Sequence, residues 1–141
     1  MITSASSLAS MSTCSSVDGA LFISGDDSIT DLNPLYCLTE INGLLDISDN
    51  DALIEVDGLV NLTGVTGALT IWGNDILANL DGFSALGAVG GDLEVTDNAA
   101  LCTSAVDAFV LYSASGKNLG MVYRQLAYFA VGIAAMIVVA Q

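Results

Sequence analysis

A chain of 141 residues that is 53% hydrophobic and only 13% charged has room for one domain with a sizeable core and little else. Its 16 acidic side chains face two cations, Lys117 and Arg124, so no side chain before Lys117 is cationic, and the surface repels phosphate backbones and argues against a nucleic-acid partner. Histidine is absent, which removes Ser-His-Asp and Cys-His catalysis, and three cysteines without a CxxC pair argue against structural zinc.

Residues 1–15 form a Ser-rich lead or cap with neither the basic residues nor the apolar core of a signal peptide. That is compatible with a leader already removed, with a fragment, or with a protein not secreted by that route. From residue 16 to 107 the chain repeats. Gly19, Gly43, Gly67 and Gly91 stand 24 residues apart, inside VDGALFISGD, INGLLDISDN, VTGALTIWGN and VGGDLEVTDN. Apolar columns keep step with them: Val17, Ile41, Val65 and Val89; Leu21, Leu45, Leu69 and Leu93; Ile23, Ile47, Ile71 and Val95. A fixed period of this length predicts stacked units that share one core, since no unit buries its apolar side alone.

Within each repeat, the stretch from the Val/Ile position through the glycine alternates apolar and polar residues, which predicts a half-buried strand. A polar corner rich in Asp, Asn and Gly follows, suited to a tight turn. Beyond it apolar residues fall every third position, as in Leu53, Val56, Leu59 and Leu62. That spacing fits an irregular, partly 3₁₀ return path. The expected architecture is a mainly β solenoid of four 24-residue coils whose strands stack into a parallel sheet.

The column Asp26, Asn50, Asn74 and Asn98 follows the strand, where an inward Asn would hydrogen-bond the backbone of neighbouring coils and close the turn. A calcium ladder is the rival reading, because Asp27, Asp49, Asp51 and Asp75 lie close by, but the dense Gly-Gly-x-Gly-x-Asp spacing of calcium-binding rolls is missing. No metal or cofactor is expected. The outward strand positions are Phe22, Asp46, Thr70 and Glu94 in one column and Ser24, Ser48, Trp72 and Thr96 in the next. Phe22, Asp46, Thr70, Trp72 and Glu94 form a candidate surface for a protein or carbohydrate ligand, with Trp72 stacking on a sugar or anchoring a partner. The competing reading has Trp72 packing on the sheet. A carboxylate-only glycosidase built on Asp46 and Glu94 is the enzyme alternative; it lacks a basic residue to hold substrate.

The pattern V-x-G-x-L-x-I-x-x-N-x-x-L, with ITDLNPLYCLTEINGLLDISDN and GDLEVTDNAALC, resembles the receptor L-domain group over about residues 14–107. The resemblance implies a leucine-rich-repeat-like, single-stranded right-handed β-helix. Such domains occur in receptor ectodomains and in glycolipid-anchored fungal wall proteins, so an extracellular or cell-surface location is implied. The family often closes its first coil with a disulfide, for which Cys14 and Cys37 are the candidates, one coil apart and nearly in register; the alternative is two free thiols. Cys102 has no evident partner.

Residues 108–120 read as a linker, and residues 121–141 as a hydrophobic, helical segment. Leu126 to Ala140 is 15 residues without a charge. It serves as a marginal membrane anchor, as the removed tail of a glycolipid-anchor signal cleaved near Ser113–Gly116, or as an apolar cap on the last coil. Asn61-Leu62-Thr63 is a glycosylation sequon that agrees with an extracellular location. The expected function is non-enzymatic recognition at a cell surface, and the chief alternative is a structural or assembly role in the cell envelope.

Overall fold

A computed structural model describes residues 1–106 other than 14 and 26, residue 109, and the backbone of residues 122–124 and 137–139. The fold is mainly β, with two parallel sheets and few helices. Each 24-residue unit contributes one short strand to each sheet. The strands before the glycine column are β1 (Ser16–Asp18), β3 (Glu40–Asn42), β5 (Gly64–Val65) and β7 (Ala88–Val89), and they pair in that order. The strands after it are β2 (Leu21–Ser24), β4 (Leu45–Ser48), β6 (Leu69–Trp72) and β8 (Leu93–Thr96), which line up likewise in the second sheet. Pairing follows the sequence period without a slip: Val17 faces Ile41, Leu21 faces Leu45, Leu45 faces Leu69 and Leu69 faces Leu93.

One continuous strand through the glycine was the expectation, and the structure corrects it to two strands in different sheets. The inward residues explain the break. Val17 and Leu21 are four positions apart, and no side chain at Gly19 continues the alternation between them. Gly19 adopts φ +109°, a left-handed conformation that turns the chain from the first sheet into the second. Further along the column the requirement is space. A Cβ on Gly67 would lie 2.8 Å from the Gly43 carbonyl carbon, so successive units approach backbone to backbone here.

The return paths carry 3₁₀ turns at Asn33–Leu35, Asp57–Leu59 and Asp81–Phe83, in keeping with the three-residue spacing of their apolar side chains. Leu35, Leu59 and Phe83 are the inward residue of each turn and are buried. The middle position of the turn is Pro34, then Gly58, then Gly82. A Cβ on Gly58 or Gly82 would overlap the backbone of Leu32 or Val56 in the preceding unit. Pro34, in the first unit, has no earlier return path beside it, so a ring is tolerated there and its fixed φ suits the start of the turn.

The core is the sum of the inward columns. Ile23, Ile47, Ile71 and Val95 are each fully buried, as are Leu53, Val56, Leu59 and Leu62 on the return side of one unit. Burial of a single such side chain is worth about 1.5–3 kcal/mol.

Non-repeating residues cover the end units. Ile2 bridges Ile23, with its N–H on the Phe22 carbonyl at 2.6 Å and its own carbonyl accepting from Ser24 N–H at 3.2 Å. Helix α1 (Ala5–Ala9), opened by a Ser4 capping box, places Leu8 in the core. At the other end Val106 and Phe109 are buried, and the Phe109 ring lies 5.4 Å from that of Phe83. Strand β9 (Val122–Arg124) runs parallel to β8, and β10 (Ile137–Val139) runs antiparallel to β9. The C-terminal segment therefore contains strands where a helix was expected. Its β-branched Val122, Ile137, Val138 and Val139 favour extended backbone, and the β8 edge supplies the hydrogen bonds. The remainder of that segment, and the candidate anchor-cleavage region at Ser113–Gly116 in the linker before it, lie outside the described residues. No described helix is long and apolar enough to cross a membrane.

Candidate functional site

The second sheet presents two outward columns. Phe22, Asp46, Thr70 and Glu94 are direct neighbours across four strands, and so are Ser24, Ser48, Trp72 and Thr96. The five residues singled out from sequence thus share one face. Phe22, Asp46, Thr70 and Glu94 are half-buried; the last three have a strand neighbour on either side, and Phe22, on the edge strand, has β4 on one side and the Ile2 bridge on the other. Trp72 is 38% exposed, which leaves part of the indole open to solvent.

Hydroxyls two residues along each strand orient the two acids. Ser48 Oγ donates to Asp46 Oδ1, and Thr96 Oγ1 donates to Glu94 Oε1 at 3.5 Å. Ser48 is buried although it points outward, a feature that alternation alone does not reveal. Its place in the column, between Ser24 and the large Trp72, accounts for it. Asp46 and Glu94 are separated by Thr70, so their backbones stand two strand spacings, about 10 Å, apart.

Beneath this face runs the buried Asn column. Asn50, Asn74 and Asn98 are fully buried. Each donates from Nδ2 to two carbonyls: Asn50 to Ile23 and Ser48, Asn74 to Ile47 and Trp72, Asn98 to Ile71 and Thr96, at 2.7–3.0 Å. Two of the Oδ1 atoms accept from the backbone N–H of the Asn one unit earlier, Asn98 from Asn74 at 3.1 Å and Asn74 from Asn50 at 3.2 Å. Asn50 Oδ1 has no hydrogen-bond partner among the described residues. The column's first member in sequence, Asp26, lies outside the described residues.

The corner just ahead of each Asn is left-handed throughout: Gly25 at φ +73°, Asp49 at +53°, Gly73 at +66° and Asp97 at +51°. Two of these four are aspartates held where glycine is at ease. Among the described residues no group of three His, Cys, Asp or Glu side chains is placed to hold a metal ion.

The remaining sequence-derived sites scatter over other faces. Cys37 is exposed, and its candidate disulfide partner Cys14 lies outside the described residues. Asn61 is half-buried and donates from Nδ2 to the Tyr36 carbonyl at 2.9 Å, so glycosylation there would first have to release that bond. Cys102 is exposed, 3.2 Å from Ser104 Oγ; that contact, helped by the Ala105 backbone, holds its thiol below the ordinary value. Neither family models, nor curated proteins, nor solved structures match this chain.

Proposed function

We propose that the chain is a right-handed β-solenoid of the receptor L-domain kind and serves as a non-enzymatic recognition module at a cell surface. Its binding face is the outward side of β2, β4, β6 and β8. The observation that carries this reading is Trp72. A large aromatic side chain, 38% exposed, stands at the middle of an ordered sheet face whose neighbouring residues differ from strand to strand. A rigid, partly exposed aromatic on a preorganised surface supplies contact area at little entropic cost, the usual character of a binding hot spot. Purely structural positions here repeat from unit to unit, whereas Phe22, Asp46, Thr70 and Glu94 do not.

Surface attachment through residues 121–141, as anchor or anchor signal, is part of the same proposal. The test of the binding face is a screen of wild type and Trp72→Ala, matched for stability, against arrays of defined peptides and glycans. Selective binding that Trp72→Ala removes supports the face. Identical profiles for the two proteins would sink it.

The alternative is an assembly role in the cell envelope. It draws on Ile54 and Ile76, which are exposed outside the strands. Deleting residues 121–141 should then convert large particles into monomers, read by light scattering.

A further inference from the structure

We propose that the face around Trp72 is built for cationic side chains, so that its partner is an arginine- or lysine-rich segment of another protein. This rests on the recognition reading above and names the ligand class. Asp46 and Glu94 flank Thr70 in the strand register, and Trp72 is the next residue of the same strand on that face. The partly exposed indole thus lies between the diagonals to two carboxylates about 10 Å apart along the sheet. A guanidinium or ammonium over an indole face is attracted by the ring quadrupole, and an adjacent carboxylate reinforces it.

Two further facts favour a cation over a neutral sugar. Ser48 donates to one oxygen of Asp46 and holds it in place, and Thr96 makes a longer contact, 3.5 Å, with one oxygen of Glu94, so each acid has a second oxygen left for a cation. Among the described side chains none is a lysine or arginine, and neither acid forms an ion pair with one of them. The formal net charge of −14 adds long-range attraction for a basic partner and rejects acidic ones.

Trp72 is the single tryptophan of the chain, so its fluorescence reports on this face alone. The probe is tetra-arginine, titrated at low salt, with a neutral β-glucan hexasaccharide and tetra-glutamate alongside. Saturable perturbation of Trp72 emission by tetra-arginine alone is expected. Asp46→Asn with Glu94→Gln should weaken it on the order of tenfold or more, the scale of a cation that loses two preorganised carboxylates. Asp57→Asn with Asp81→Asn makes the same change in net charge on the exposed return turns and should weaken it less than about threefold.

Equal weakening by both pairs would overturn the proposal, since bulk charge would then explain the binding. Perturbation by the hexasaccharide and not by tetra-arginine would also overturn it, while leaving a recognition face in place. Emission that answers to neither probe overturns it as well. The separate Trp72→Ala array screen then decides whether the recognition reading falls too.

Discussion

The two sides of the same strands obey different rules. Facing inward, Ile23, Ile47, Ile71 and Val95 differ by a methylene at most, and the Asn column below them repeats one set of hydrogen bonds. Facing outward, Phe22, Asp46, Thr70 and Glu94 share neither size, charge nor polarity. The backbone places both sets in the same register, so register does not cause the difference. An inward residue must satisfy the units before and after it at once, and a substitution there is felt by its neighbours. An outward residue answers mainly to solvent or a partner. Uniformity therefore marks what holds the stack together, and variety marks what the stack displays.

Breaking an inward position tests this most severely. Asn74→Ala strips hydrogen bonds from the Ile47 and Trp72 carbonyls and from the Asn50 N–H, and should destabilise by about 4 kcal/mol, given about 1–3 kcal/mol for each buried group left unpaired. Urea unfolding with an unchanged slope measures it; a loss under about 1 kcal/mol would refute the load assigned to this column. Two glycines give a sharper contrast. Gly82→Ala drives a methyl into the Val56 backbone and should cost about 3 kcal/mol, whereas Gly64→Ala has open space and should stabilise by about 0.5 kcal/mol. Thermal melts of the pair check the opposite signs.

A milder intervention makes the column uniform. Asp26 stands where the other three units carry Asn, and Asp26→Asn is expected to stabilise by about 1 kcal/mol, seen as a raised urea midpoint. The smallest effect belongs to the display side. Thr70→Ser should change stability by less than about 0.5 kcal/mol, even though Thr70 lies between strands on both sides. A large loss there would mean that the outward columns also bear structure.

The same asymmetry decides what is legible in the amino-acid sequence. The register, the inward columns, the 3₁₀ return turns and the buried Asn relay are all periodic, and four near-copies of a physical constraint expose it. The gathering of Phe22, Asp46, Thr70, Trp72 and Glu94 on one face follows from that register alone. Features that occur once, or that depend on backbone conformation, stay hidden. The pairing of Ile2 with the edge of β2 involves one apolar residue in a Ser-rich lead, with no second copy to reveal it. The division of one apparent strand into two sheets lies in a single glycine that reads equally well as a strand residue. Burial of Ser48 and the bond that ties down Asn61 depend on what stands one unit away, which a linear pattern of polarity does not record.

Because the strands from β1 to β8 pair with one another only at an offset of one 24-residue unit, the hydrogen bonds between them run from unit to unit along the stack. Tension applied between the two ends of the repeat region loads these ladders one at a time, as in opening a zipper. Under an optical trap the chain should lengthen in near-equal steps, each freeing one 24-residue unit of about 80 Å contour length, rather than in a single rupture. A stack of this kind would yield gradually to mechanical load and recover by rewinding one layer at a time.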